Sequence, residues 1–303
     1  MTIALIAGTG GLPPHLAGSL MVQGRTPIIC EMRGFASSIV GDFPRIGFRI
    51  ETLGTFLETL KELGVTEVCM AGAMQRPDVD PTAIDPATAP LVPRLMGAMA
   101  KGDDGTLREI IAIFEERGFS IVGAHNIAPD LLPIIGQHTT KSGPDLTADL
   151  AAAEVALKQM GQADQGQAML LRDGAVIARE DARGTEAMLR DFCEPLEKSG
   201  GTGDPLADLF EGAVDLVSDA IDWISDKPDE KAPNAKGAVL FKAPKPDQIL
   251  KADMPLIGPD TAMQAAEAGL AGIVIPQGRV MVLDLPQVVA ILDAQGMFLQ
   301  VVP

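Results

Sequence analysis

The chain has no tyrosine, one tryptophan, three histidines and three cysteines in 303 residues. Cys30, Cys69 and Cys193 are far apart and form no Cys-x-x-Cys pair, which excludes a thiolate zinc site of the usual spacing. His15, His125 and His138 form neither a His-x-x-x-His nor a His-Glu-x-x-His pattern, so zinc-hydrolase chemistry is disfavoured. There is no Gly-x-Ser-x-Gly elbow, which removes the α/β-hydrolase reading. No apolar run reaches the ~18 residues of a spanning helix. The segment before Arg25 has no Lys or Arg and lacks the basic start of a secretory signal, so the expected compartment is the cytoplasm. Positive charge is also short: 24 Lys and Arg face 41 Asp and Glu, a formal net charge of -17. That balance excludes a nucleic-acid partner and simple attraction to anionic lipid. A local basic pocket for an anionic substrate remains compatible with it.

Hydrophobic residues make up 47% of the chain, with 32 glycines and 23 prolines, which implies an aliphatic core and many tight turns. Residues 3–7 form a short apolar run that ends in Gly8-Thr9-Gly10-Gly11. Pro13 and Pro14 follow at the start of a helical pattern through Leu20. Strands are predicted at 27–30, 65–70 and 120–122, and helices at 55–63 and 107–117, the latter from Leu107, Ile110, Ile111 and Phe114. This alternation predicts a Rossmann-like α/β domain with a parallel sheet over residues 1–144. A mixed α+β domain with hairpins is predicted over 145–303. It starts with an alanine-rich helix at 146–160, then a hairpin at 167–180 around Asp173-Gly174. A second hairpin is predicted at 272–284 around Gln277-Gly278, with helices at 260–268 and 286–294. Residues 198–236 read as an insertion with linker-like flanks. Within it, Asp204–Ser225 patterns as an amphipathic helix that packs on the domain or on a second subunit, which is compatible with a homodimer.

The first glycine turn fails two nucleotide motifs. Gly8 and Gly10 fit G-x-G-x-x-G, but the third position is Pro13, and no Gly-Lys-Ser/Thr follows. Backbone N–H groups at a helix start can still hold a phosphate. The alternative is a turn needed only for packing. Glu31, at the end of the second strand, stands where a ribose reader would be, or is an ordinary strand-end acid. Gly102-Asp103-Asp104-Gly105 precedes a helix, which one aspartate can cap. Lys242, Lys245 and Lys251 lie among prolines and glycines around Asp253. Rigid, mixed-charge loops of this kind often carry sites. The lysines suit phosphates, and Asp253 suits a divalent cation or a water.

Several blocks in order then carry a resemblance. They are Ile6–Pro13, Arg76-Pro77, Lys101–Asp104, Gly118–His125 and Gly166-Gln167-Ala168. Asp173-Gly174, Glu180, Gly184–Leu189, and Lys245 through Gly258 complete the series. Together they resemble the LpxI-type UDP-2,3-diacylglucosamine pyrophosphatases of lipid A biosynthesis. The resemblance covers nearly the whole chain outside 198–236. It implies a Gram-negative enzyme that is cytoplasmic and peripheral at the inner membrane. Such an enzyme hydrolyses UDP-2,3-diacylglucosamine to UMP and 2,3-diacylglucosamine 1-phosphate (lipid X) with Mg²⁺, two domains enclosing the substrate. It implies Asp253 as the catalytic aspartate and, with Asp104, as a metal ligand. Substrate contacts are expected from Gly8, Gly10, Gly11 and Leu12, and from Arg76 and Asp103. Gly184, Thr185, Lys242, Lys245 and Gln248 complete the expected set. Ile249, Lys251 and Glu186 stand where the family often has an acid, an arginine and an aspartate. An apolar groove for the acyl chains is expected, with Leu131–Ile135 either lining it or serving the core. On the residues alone, a nicotinamide-dependent oxidoreductase and a non-catalytic nucleotide- or lipid-binding protein stay open.

Overall fold

The structure is a computed structural model that describes residues 2–74, 78–100, 102–163, 165–193 and 234–303, without the side chain of Asp103. The helix expected at Asp204–Ser225 and the position of Arg76 therefore lie outside the described residues.

The first sheet has five parallel strands: β1 (Thr2–Ala7), β2 (Ile28–Met32), β3 (Arg45–Phe48), β4 (Val65–Ala71) and β5 (Ser120–Ile121). Their order, β3-β2-β1-β4-β5, is that of the first five strands of the Rossmann arrangement. The side-chain alternation of a strand splits β1 between two cores. Ile3, Leu5 and Ala7 face α1 (Leu12–Val22), joined by Leu12, Leu16 and Leu20. Ala4 and Ile6 face α2 (Leu53–Glu62), α3 (Val92–Met99) and α4 (Asp103–Glu116), against Phe56, Leu57, Leu95 and Phe114. Pro13 and Pro14 are tolerated because the first N–H groups of a helix have no partner inside it.

The second sheet has six strands in the order β6-β13-β11-β9-β7-β8. They are β6 (Gly136–Gln137), β7 (Ala168–Arg172), β8 (Ala175–Arg179), β9 (Val239–Lys242), β11 (Gly272–Pro276) and β13 (Phe298–Val302). Strands β9, β11 and β13 are mutually parallel, while β6, β7 and β8 pair antiparallel. One face packs on α7 (Thr185–Arg190), α8 (Pro259–Glu267) and α9 (Leu285–Ala294). The other packs on α6 (Thr147–Gln162) through Ala153, Ala156 and Met160. The fold is α/β throughout, with a parallel Rossmann-like sheet and a mixed sheet. Two further short strands, β10 (Leu256–Ile257) and β12 (Met281–Val282), pair with each other in parallel.

The hairpin at 167–180 forms as expected. Asp173 (φ 54°) and Gly174 (φ 77°) make a two-residue turn between β7 and β8. The second expected hairpin does not form. A turn does occur at 277–279, but both edges of β11 are already taken by β9 and β13. The chain therefore leaves the sheet, and β12 pairs with β10 instead. The second sheet also recruits β6, upstream of the residue-145 start read from the pattern, because Gly136 and Gln137 pair with Val301 and Gln300.

Close packing at the start of α2 sets a test. A Cβ on Gly54 would lie 2.2 Å from the Ala87 carbonyl carbon, and the Gly54 N–H is bonded to Thr88 Oγ1 at 2.7 Å. Gly97, inside α3, is exposed, and a Cβ there meets nothing. Thermal unfolding is expected to show Gly54→Ala destabilised by about 1–3 kcal/mol. Gly97→Ala is expected to gain about 0.5–1 kcal/mol. Equal effects of the two changes would contradict the packing described.

Candidate active site

The segment from Ala243 to Asp253 leaves the end of β9 and folds back over α4 of the first sheet. Turn chemistry fixes its path. Gln248 is buried, and its Oε1 accepts the Lys245 backbone N–H at 2.9 Å. Its Nε2 donates to the Asp253 carbonyl at 2.5 Å and to Asp253 Oδ2 at 2.7 Å. Gln167, just before β7, donates from Nε2 to the same Oδ2 at 3.4 Å. Among the described residues Asp253 Oδ1 accepts no hydrogen bond.

Burial pushes the Asp253 carboxyl above the usual aspartate range. The carboxamide of Gln248 and the charge of Lys245 oppose that shift, and the charge of Asp104 adds to it. Asp104 sits in the first turn of α4, where Oδ2 accepts Arg108 Nε at 2.9 Å. Its Oδ1 is buried and has no hydrogen-bond partner among the described residues. The expectation that an aspartate caps α4 is not met: the cap is Gly102 (φ 93°), with no side-chain capping bond. Arg108 also donates to the Asp247 carbonyl, and Lys251 pairs with Glu115 of α4.

A second group of buried polar side chains adjoins this one. Lys242 is only 9% exposed and donates from Nζ to Thr185 Oγ1 at 2.7 Å. Thr185 Oγ1 lies 3.0 Å from Glu180 Oε1, and Glu180 Oε2 accepts the Gln167 N–H at 2.7 Å. Burial lowers the Lys242 pKa, against the opposing pull of Glu180 and Asp253. A cleft of about 280 Å³ opens beside the cluster, lined by Asp104, Lys158, Lys245 and Gln248 among others. Another cleft, of about 360 Å³, lies beyond β2 and β3 near Arg33, Arg49 and Glu51. There the Arg49 guanidinium is paired with Glu51 and holds its carboxyl at about 2.

The structure thus brings together Asp104, Thr185, Lys242, Gln248 and Asp253, with Lys245 on the same loop. Gly184 is the N-cap of α7, at φ 91°, next to Thr185. The glycine turn stands apart: among the described residues no hydrogen bond joins it to the Asp253 cluster. Gly8 and Thr9 donate to Ala71 and Ala73, and a Cβ on Gly8 would lie 2.4 Å from the Ala73 oxygen. Gly11 packs against Leu283 of the second half, and Leu12 is core. Pro13 and Pro14 carry no N–H, so two of the donors that this helix start could offer a phosphate are missing, while Gly11 and Leu12 keep theirs. Glu31 is engaged as well: its Oε1 accepts from Ser37 N, Ser37 Oγ and Arg45. Leu131 is buried, whereas Ile134 and Ile135 are 74% and 48% exposed.

The sequence reading gave no role to Gln167, Glu180 or Arg108. Gly166 is the available signal for the first two. A Cβ there would lie 2.3 Å from Glu180 Cγ, so glycine is required for the carboxylate to lie beneath the chain.

The LpxI N-terminal domain model matches residues 2–131 and the LpxI C-terminal domain model matches 134–300. The gap between them falls just before β6. The UDP-2,3-diacylglucosamine pyrophosphatase LpxI of Caulobacter vibrioides is 33% identical over 297 residues, 98% of this chain and 95% of that protein.

The upward shift at Asp253 means that its charge opposes folding. Below the usual aspartate range the carboxyl is protonated in both the folded and unfolded chain, and the penalty vanishes. It grows as pH rises, because the unfolded chain ionises first, and it is complete above the folded pKa. Asp253→Asn keeps an acceptor for both carboxamides and removes the charge. Its Tm is expected to exceed wild type at pH 7, by about 2–4 °C per kcal/mol relieved. The gap should narrow as pH falls toward 4. A lower Tm at pH 7 would contradict the burial argument.

Proposed function

The chain belongs to the LpxI family, and from that premise we infer that it hydrolyses UDP-2,3-diacylglucosamine to UMP and 2,3-diacylglucosamine 1-phosphate. The carrying observation at the site is a partly buried carboxylate, Asp253, with one oxygen held by two carboxamides and the other without a hydrogen bond among the described residues, within the electrostatic reach of Asp104. The cytoplasmic side of the membrane is where a UDP-sugar lipid is met. Among the described residues no helix is long and apolar enough to cross a membrane. Peripheral contact with the bilayer suits an enzyme whose substrate and product are both amphiphiles.

The donor set fits a magnesium ion. Asp104 Oδ1 is a buried oxygen without a partner, and Asp253 Oδ1 accepts no hydrogen bond among the described residues. Mg²⁺ commonly binds through one or two carboxylates, with water and substrate phosphate completing the set. Asp253 and Asp104 would hold it. When bound, the ion supplies charge neutralisation at the pyrophosphate and a more acidic water.

The chain's own residues do the rest. Gln248 and Gln167 fix Asp253 through Oδ2, leaving Oδ1 for the reacting site. Lys245, at the cleft, meets the anionic pyrophosphate, and Arg76 and Asp103 are assigned to the same substrate. Lys242 is buried on Thr185, so it contributes positive potential behind the carboxylate. A water adds to the sugar-side phosphorus, the bridging P–O bond breaks, and UMP leaves. The acyl chains bind by burial, worth roughly 0.8 kcal/mol per CH₂. Ile134 and Ile135, exposed on the segment joining the two sheets, are the apolar surface assigned to them.

The purified protein is expected to release UMP and lipid X with Mg²⁺ and not with EDTA, as followed by mass spectrometry. Asp253→Ala is expected to lose about 10²–10⁴ in rate. UDP-GlcNAc, which lacks acyl chains, should have a far lower kcat/KM. Product formation by a folded Asp253→Ala protein at the wild-type rate would remove Asp253 from the site.

A further inference from the structure

We propose that Glu180 is a positioning residue, which holds the backbone of Gln167 so that its carboxamide reaches Asp253. The inference rests on the hydrolase reading above. Glu180 follows β8 and is 9% exposed. Among the described residues no Lys or Arg forms an ion pair with it. A buried carboxylate without a direct counter-ion is costly, so its retention needs a reason. Both of its oxygens are engaged, Oε2 by the Gln167 N–H and Oε1 by the Thr185 hydroxyl. Among the described residues Lys242 makes no hydrogen bond to it and donates instead to Thr185.

Gln167 is therefore fixed on both sides of its backbone. Its N–H is held by Glu180 at 2.7 Å, and its carbonyl accepts the Ala243 N–H at 2.9 Å. Gly166 lets Glu180 approach, since any Cβ there would strike it. Only the Gln167 side chain is left to adjust, and it spans 3.4 Å to Asp253 Oδ2. That contact is at the outer limit of a hydrogen bond, so a small relaxation of the 166–167 backbone breaks it. Gln248 alone then holds the carboxylate, which is free to rotate about that one bond.

The test is a double-mutant cycle on UDP-2,3-diacylglucosamine turnover with Mg²⁺, together with Tm for each variant. Glu180→Ala and Gln167→Ala are each expected to lose about 10-fold to 100-fold in kcat, with KM little changed. The double variant should lose no more than either single change. Glu180→Gln, whose carbonyl still accepts the Gln167 N–H, should recover part of the rate. Losses that multiply in the double variant would overturn the proposal. A lowered Tm with unchanged kcat would also overturn it, leaving only a structural role. Where Glu180→Ala does not fold, Glu180→Asp, too short to span both partners, takes its place with the same expectations. A crystal structure of the truncated variant gives a second readout, independent of turnover. Gln167 Nε2 should have left Asp253, and finding it still in place overturns the inference. Wild-type protein that releases no product would overturn the hydrolase reading instead, and the crystal structure would still decide this one.

Discussion

A single carboxylate, Asp253, is held partly buried between the two halves of the chain, and much of the surrounding structure serves that placement. Burying an ionisable acid is unfavourable unless its oxygens are satisfied. Two glutamine carboxamides converge on one oxygen, one from the loop that carries Asp253 and one from the start of β7. Behind them, Glu180, Thr185 and Lys242 form a second layer in which each polar atom has a partner. Carboxamides are a suitable choice. They donate without neutralising the acid, so its charge stays available for a cation or a phosphate.

The position of that carboxylate depends on contact between the two sheets. The loop from Lys245 to Asp253 belongs by chain order to the second sheet, yet it lies on α4 of the first. Arg108 bonds the Asp247 carbonyl, and Lys251 pairs with Glu115. Exposed pairs of this kind contribute little stability; their effect is to set register between loop and helix. Apolar burial does more of the work. Met254 and Met281 enter the core on the α1 face of the first sheet, and Gly11 packs against Leu283. Asp104 and Asp253 thus come from opposite sides of the interface. A chemistry that needs both acids is available only when the halves are together.

The glycine turn shows how a familiar pattern also closes the end of a sheet. Its position after β1, at the point where the strand order reverses, is where open α/β sheets bind ligands. Here Gly8 and Thr9 instead bond across to Ala71 and Ala73, which closes the end of the sheet. The two prolines of α1 remove two of the N–H groups at this helix start, and Gly11 and Leu12 keep theirs. The missing third glycine agrees with the close packing of chain on chain at Gly8.

Local sequence determined the elements whose pattern is complete within a few residues. The strands at β1, β2 and β4 and the helices with threefold and fourfold apolar spacing were legible in this way. So was the Asp173-Gly174 turn, because their backbone preferences and buried faces are set by near neighbours. Resemblance across ordered blocks pointed to Asp253 and Gln248. Tertiary structure decided the rest. Gln277-Gly278 makes a turn but not a hairpin, since pairing depends on which edge of β11 is free, and β9 and β13 had taken both. The short β6 joins the second sheet through a partner more than 160 residues away. The roles of Gln167, Glu180 and Arg108 depend on contacts between segments distant in sequence, as does the buried oxygen of Asp104. A side chain's charge and shape are written at its own position, but its burial and its partners belong to the folded chain.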